Sequence, residues 1–505
     1  MFNKIDKLTN SKSKKFFIEK VELFVKIIRS FAKKNEIHYE TDVVVDDKIV
    51  KRLIDLNIIN HKKDLFVLEK TIKTGLYKDF LEALKFNINN KKILGKTLDK
   101  FDYLKRKSLQ KSLSTEGKPK IVDFFCGAGG LSLGFIQEGF HVDLANDNED
   151  VCIETFKFNH PEIQGNRIIH GDIREIVDHL ENYLENDIDV VVGGPPCQGF
   201  SSANQQRIID DPRNELYKYY IKAIEKIAPK FVVMENVRGM LPYAKQVVED
   251  YNNINAIKAD VTYSYEVAYK VLVSDDFGVA QKRQRLVFIA VRNDIVKLKK
   301  LTPFTIFNQI EESIRNTKRH SLKQAIEYIK PLEAPRIKNM TEVDDEITGK
   351  KVDINQFLGN ENSYLKLINE GRKIDYVFNH KARYTNDINY EIYETLGQGE
   401  DGTSEKIKHV MPYKHRNHIF KDKYFKLIED KPSRTITAHL KMDCHSHIHP
   451  RQVRSITPRE AARIQSFPDD YVFLGAYLKT YMQIGNAVPP VMARGIAKII
   501  KKHIQ

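Results

Sequence analysis

Cys197 follows two prolines in Gly193-Gly194-Pro195-Pro196-Cys197-Gln198-Gly199-Phe200-Ser201, directly after the apolar run IDVVV. Proline fixes its own backbone dihedral, so a thiol placed there sits on a stiff loop. A thiolate held that way can attack an electrophilic carbon. A cysteine taken alone is more often a small buried hydrophobe, so the neighbours matter. Upstream, Phe125-Cys126-Gly127-Ala128-Gly129-Gly130 follows the run IVDF, and Asp147 stands twenty residues after Gly127. Glycines let a backbone turn tightly against a ligand, and a carboxylate at that distance suits ribose hydroxyls. The pattern is F-x-G-x-G-G, not the dinucleotide G-x-G-x-x-G, and alone it reads equally well as a plain turn. Downstream come Glu235, in Met234-Glu235-Asn236-Val237, and Arg283 and Arg285, in Gln281-Lys282-Arg283-Gln284-Arg285. Isolated charges of this kind are usually surface groups, but four such features in this order are hard to reach by chance.

The elements that must position them are legible as alternation. IVDFF, VDLAND, IDVVVGG, KFVVMEN and RLVFIAV are short β-rich runs separated by helical stretches, the signature of an α/β domain with a largely parallel sheet. Open α/β sheets bind ligands at strand carboxyl ends, where all these motifs fall. From about 295 to 450 the alternation is lost and the chain is more polar and irregular, suggesting a separate recognition region. It returns near Thr457 with a helix in PREAARIQSF.

The first 120 residues hold 29 Lys+Arg against 16 Asp+Glu, nearly all of the net charge of +14. Such a segment favours a polyanion; a lysine-rich solvated face explains the charge equally well. Phe17, Val21, Phe24, Ile28 and Phe31 mark an amphipathic helix over 14–34. Further helices are predicted over 47–59 and 76–86, a short strand over 64–69, and a linker over 89–118. The helix and strand at 47–69 faintly resemble a winged-helix fragment. Four cysteines without paired spacing argue for a reducing, cytoplasmic setting. No apolar run is long enough to span a membrane, and the N-terminus lacks the apolar core of a secretory signal. Cys444, His445, His447 and His449 invite a zinc reading, but their spacing matches no structural zinc pattern, so no metal is assigned. They are expected to form a polar stretch at the end of the recognition region.

Taken together, these segments resemble the ordered motifs of the cytosine-C5 DNA methyltransferases. DFFCGAGG resembles the cofactor loop, GGPPCQGFS the nucleophile loop, ENV the glutamate motif and QKRQR the Q-x-R-x-R motif; RSITPREAARIQSFPDDYVF and QIGNAVPP resemble the closing motifs. The resemblance covers roughly 119–295 and 430–500. It implies transfer of a methyl group from S-adenosylmethionine to C5 of a cytosine rotated out of specific double-stranded DNA. Cys197 would add to C6, Glu235 would supply a proton or hydrogen bond at N3, Arg285 would hold O2, and Arg283 would support the nucleophile region. Phe125 would stack on the cofactor adenine, with Gly127, Gly129 and Gly130 forming the loop. Asp147 would bind the ribose and Asp172 the adenine amine, while Pro196, Leu216 and Asn486 would line the site. Asn148 departs from the large apolar residue often found there, which weakens stacking. Gln198, Ser201, Thr435 and Ile436 would meet the DNA.

The expected fold is therefore α/β: a doubly wound, Rossmann-like S-adenosylmethionine-dependent methyltransferase domain with an inserted target-recognition domain and a basic, mainly helical N-terminal extension. The expected parts are the extension at 1–118, the catalytic and cofactor-binding domain at 119–295, the recognition domain at 296–450, and 451–505 completing the catalytic domain. By the same resemblance the chain is a monomer and the modification enzyme of a restriction-modification system, paired in function with an endonuclease. An RNA cytosine methyltransferase is the first rival, though its usual Cys-Phe-Thr element is missing here. A non-catalytic DNA-binding homologue is the second, disfavoured by intact Cys197, Glu235 and Arg285. Adenine and exocyclic-amine enzymes carry (D/N)-P-P-(Y/F) in place of P-P-C.

Overall fold

A computed structural model describes residues 2–94, 98–114, 117–185, 187–196, 214–354, 361–372, 374–412 and 423–504. The N-terminal part holds α1 (Ser11–Lys34), α2 (Asp47–Asp55), α3 (Leu65–Ile72), α4 (Thr74–Asn89), α5 (Lys91–Leu94) and α6 (Tyr103–Ser114). Then β1 (Lys120–Phe124), α7 (Gly130–Gln137), β2 (His141–Asp147), α8 (Asp150–Asn159), β3 (Ile168–His170) and α9 (Ile173–Asp178) alternate. They continue as β4 (Val190–Gly193), α10 (Glu215–Ile227), β5 (Phe231–Val237) and α11 (Ala244–Asn252). A small ribbon, β6 (Ala256–Lys258) and β7 (Val261–Tyr263), precedes the long strands β8 (Tyr265–Val273) and β9 (Gln284–Arg292). The next stretch carries α12 (Asn293–Lys299), α13 (Pro303–Ile314), α14 (Leu322–Ile326), β10 (Gly349–Ile354), α15 (Ser363–Ile368), β11 (Tyr376–Lys381) and α16 (Asp387–Thr395). The chain closes with α17 (Pro458–Ile464), α18 (Tyr477–Asn486) and α19 (Pro490–Ile504).

The main sheet has seven strands in the order β3-β2-β1-β4-β5-β9-β8. β1 to β5 run parallel, whereas β9 lies antiparallel to both β5 and β8. The sheet is thus mixed but parallel-dominated, as its β-branched runs suggest. Helices cover both faces, so each strand divides its side chains between two cores. Ile121, Val190 and Val192 enter the core beneath α7, α13 and α19; Val122, Val191 and Val232 enter the one beneath α10 and α11. Strand order reverses between β1 and β4, which opens a crevice at their carboxyl ends.

Three readings of the sequence are corrected. Residues 64–69 are not a strand: Leu68 and Ile72 bury one face of α3, and Asp64 takes the Asn60 and His61 N–H groups ahead of it. The winged-helix likeness goes with that strand. The segment 89–118 is not a bare linker, since it carries α5 and α6, with Leu94, Leu98 and Phe101 buried. Its lysine and serine content hid an apolar set spread over three short turns. β3 and β8 escaped notice, β3 because it is three residues long and β8 because Glu266 and Lys270 interrupt its apolar run.

α12 and α13 lie past the α/β alternation, yet Ile295, Ile306, Phe307 and Ile310 join the core of the main sheet. Beyond them β10 and β11 pair antiparallel as a wide hairpin whose connection carries α15, and α16 anchors a separate small core with Ile407, Tyr424 and Ile448.

Candidate active site

The loop after β1 starts with Phe125 at φ +60°, a left-handed conformation that turns the chain across the top of the sheet. The Phe125 ring is half-buried and lies 6.5 Å from that of Tyr220. Gly127 N–H donates to one oxygen of Asp147 at 2.8 Å, and Glu149 N–H donates to the other at 2.8 Å. A carboxylate oxygen has two lone-pair sites, so both retain capacity toward a ligand. Burial raises the pKa of Asp147, with the two N–H donors opposing. Gly130 starts α7 where a Cβ would stand 2.4 Å from the Val488 carbonyl oxygen, so the loop closes on the turn before α19 only with glycine there. Gly129 precedes it as the helix cap. Asn148 and Asn486 are exposed at the rim of this corner.

Asp172 caps α9, accepting from Arg174 N at 2.9 Å and from its guanidinium at 2.7 and 3.0 Å. Arg174 holds the Asp172 carboxyl below its ordinary value and also reaches Glu215 at 2.8 Å. Leu216, beside Glu215 on α10, is partly buried against the core.

β4 brings Gly194-Pro195-Pro196 to the crevice. Asn236 Nδ2 donates to the Pro195 carbonyl at 3.0 Å, and a Cβ on Gly194 would lie 3.2 Å from Glu235 Oε2. Pro196 is half-buried and ends the described segment. Cys197, Gln198 and Ser201 lie outside the described residues. The antiparallel register of β5 and β9 sets Glu235 opposite Val287 and Val237 opposite Arg285. Arg285 Nε accordingly meets Glu235 Oε1 at 2.5 Å, with both side chains about seven-eighths shielded (12% and 13% exposed).

Arg283 is buried, and its guanidinium ties two distant segments: Nη1 donates to Ile436 O at 2.6 Å and Nη2 to Gly485 O at 2.9 Å. Its Nε has no partner among the described residues. Burial, helped by the like charge of Arg285, lowers its pKa to about 9. Thr435 Oγ1 donates to Lys282 O at 3.1 Å, and Ile436 N–H donates to Gln281 Oε1 at 2.6 Å. Ile436 is fully buried with both backbone groups committed, whereas Thr435 keeps a partly exposed face. A Cβ at Gly485 would sit 2.2 Å from Ala438 N, so α18 presses directly on this strip.

Two glutamines went unread. Gln281 reaches from Ile436 to the side chain of Gln465, and Gln465 donates onward to Ala487 O at 2.5 Å. The chain joins the strip holding Thr435 to the turn beside Asn486. The only signal in the sequence was that both are amides within motifs whose other members are functional.

Cys444, His445, His447 and His449 do not converge. Cys444 Sγ turns to Leu440 O, His445 bonds the Tyr393 hydroxyl at 2.7 Å, His447 the Ser446 hydroxyl at 2.9 Å, and His449 accepts from Arg451 and Gln452 N–H at 3.0 Å. Cys444, His447 and His449 are buried, which corrects the expectation of a polar surface stretch there.

A parallel-dominated sheet with its reversal between β1 and β4, and a carboxylate–guanidinium pair beside a proline loop at that point, define an α/β methyltransferase. Residues 119–502 match the family model for C-5 cytosine-specific DNA methylases, and the chain belongs to that family. Among its relatives, a putative type II methyltransferase of Oceanobacillus iheyensis is 30% identical over 460 residues, covering 78% of this chain and 97% of that protein. The type II methyltransferase M.AgeI of Thalassovita gelatinovora is 32% identical over 443 residues, covering 76% of this chain and all of that one. A crystal structure of a putative DNA modification methyltransferase encoded within an E. coli prophage shares the fold, with a TM-score of 0.56 at 24% identity over 77% of this chain and 99% of that one.

Proposed function

We propose that this enzyme transfers a methyl group from S-adenosylmethionine to C5 of one cytosine in a specific duplex DNA sequence, by way of a covalent bond between Cys197 and C6. The observation that carries the reading is the Glu235–Arg285 pair at the carboxyl end of β5, against Gly194 and three residues before Cys197. The residues present fit the cofactor. Asp147 offers free lone pairs beside the glycine loop, Phe125 offers a ring face, Asp172 a carboxylate, and Pro196, Leu216, Asn148 and Asn486 are assigned to the lining around Gly127, Gly129 and Gly130. When bound, S-adenosylmethionine supplies an electrophilic methyl group on a sulfonium.

The chain's own groups make C5 ready for it. The Cys197 thiolate adds to C6 and pushes electron density toward C5. Glu235, which must carry a proton as the adduct forms, gives that proton or a hydrogen bond to N3, relieving charge on the ring, and Arg285 holds O2. Arg283 fixes Ile436 and Gly485 beneath the pocket. Once C5 carries the methyl group, a base takes the C5 proton, the C5–C6 double bond re-forms, the Cys197–C6 bond breaks to release the thiolate, and N3 returns its proton to Glu235. The base must leave the stack to reach this crevice, so Gln198, Ser201 and Thr435 are assigned to the DNA around it. The parts are assigned at 118, 295 and 450, save that α12 and α13 pack on the catalytic sheet, and sequence readout is assigned to the inserted part. The enzyme acts as a cytoplasmic monomer and as the modification partner of a restriction endonuclease.

Bisulfite sequencing of DNA from cells expressing the chain tests this directly. One cytosine within one recurring sequence should resist conversion. Unprotected DNA would overturn the reading, and protection confined to RNA would favour the RNA-methylating rival.

A further inference from the structure

α1 carries a charged stripe at seven-residue spacing, Lys12, Glu19, Lys26 and Lys33, with Lys20 and Lys34 one position on. Seven residues are close to two helical turns, so the four share one face. Their partners change along the helix. Lys12 pairs with Asp150 at 3.0 Å and Lys20 with Glu154 at 2.6 Å, both on α8 at the cofactor corner. Lys26 pairs with Asp344 at 2.6 Å, Lys33 with Glu346 at 3.7 Å and Lys34 with Asp375 at 3.0 Å, all flanking the β10–β11 hairpin. Glu19 stands at the change-over. Its carboxylate accepts the Gly475 N–H at 2.8 and 2.9 Å and pairs with Lys351 of β10.

The apolar residues repeat the pattern. Phe17, Val21 and Phe24 of α1 share one core with Val352, Tyr376 and Phe378 of the hairpin and with Phe158, Val472 and Leu474 of the catalytic part. The exposed pairs of the stripe add little on their own, so the weight falls on this core and on Glu19 and Lys20, which are 8% and 3% exposed. The lysines that would serve a phosphate surface face carboxylates instead, and those carboxylates would repel DNA there. All of α1 lies outside the residues the family model matches.

We propose that α1 is an intramolecular clasp that sets the hairpin, and with it the inserted region, at a fixed position against the catalytic sheet, with Glu19 as a positioning residue for DNA docking. This rests on the reading that the inserted region meets the DNA. Glu19→Gln separates the two ties: the amide oxygen still accepts from Gly475, but the charge that holds Lys351 is gone. Lys351→Met removes the same tie from the other side. Each variant should raise KM for duplex DNA about three- to tenfold, with kcat within about twofold, and the double variant should be no worse than the poorer single. S-adenosylmethionine affinity should not move. Amide exchange should quicken in Gly349–Ile354 and Tyr376–Lys381 but not in β1 to β5. An unchanged DNA KM overturns the clasp, as does a parallel fall in kcat and cofactor affinity. Neutralising Lys12, Lys26 and Lys33 to Gln should leave the salt slope of DNA binding unchanged; a slope flatter by about 0.9 per lysine would make α1 a phosphate surface and end the proposal. If the wild type methylates nothing, the functional reading fails, while hairpin exchange, which needs no activity, still decides the clasp.

Discussion

Glu235 and Arg285 touch, and each restricts what the other can do. The guanidinium holds the carboxylate toward Gly194, and the pocket wall is set before any base arrives. Preorganisation of this kind spares the reaction the cost of reorienting polar groups as charge develops. Asp147 is organised in the same way, by two backbone N–H groups, and has a different task. Asp147→Ala should weaken S-adenosylmethionine binding by about 1–3 kcal/mol in isothermal titration, because ligand hydroxyls would lose a buried partner. Unchanged affinity would remove Asp147 from the cofactor site. At this scale much of the site was legible, because catalysis constrains residue type: P-P-C, ENV and R-x-R each name their chemistry. Gln281 and Gln465 were not legible, since an amide that joins two backbone segments leaves no periodic or charge signature.

The elements were legible in proportion to the length of their patterns. α1, with two dozen residues on one period, was readable nearly end to end; α3 and β3 were too short to distinguish strand from helix. The polar stretch at Cys444–His449 was misread because Cys444, His447 and His449 are buried, His449 against Glu460 of α17. His380 bonds Thr457 Oγ1 and Lys330 O, and burial lowers the pKa of His380 to about 4 and of His447 and His449 to about 3. A histidine whose folded pKa lies below its unfolded value near 6.5 is protonated first in the unfolded chain. Its stabilising contribution is complete above that value and is lost as pH falls toward the folded pKa. The unfolding free energy should therefore fall between pH 7 and pH 5, by about 1 kcal/mol per buried histidine per pH unit below 6.5, and the melting temperature should drop with it. His449→Gln should flatten that slope; equal slopes in both proteins would mean that His449 is not held neutral.

Across the whole molecule, three stretches distant in sequence build one crevice. β1 to β5 supply the loops, the closing helices α17 to α19 pack Val488 and Gly485 against them, and the α1 core grips both the catalytic part and the hairpin. The α/β half was readable because its strands alternate with helices. The role of the extension was not, because lysines that pair within the chain look the same in sequence as lysines that face solvent. The proposed chemistry depends on one thiol. The other three cysteines, Cys126, Cys152 and Cys444, are buried and unpaired, and burial raises the pKa of each, so none is placed to attack a base. The most direct test is incubation of the enzyme and S-adenosylmethionine with a duplex carrying 5-fluorocytosine at the target position, where the C5 substituent cannot leave as a proton. Wild type should give a stable covalent complex mapping to Cys197, and Cys197→Ser should give none while binding cofactor normally. A complex or full turnover from the serine variant, or a map to any other residue, would contradict the assignment of Cys197.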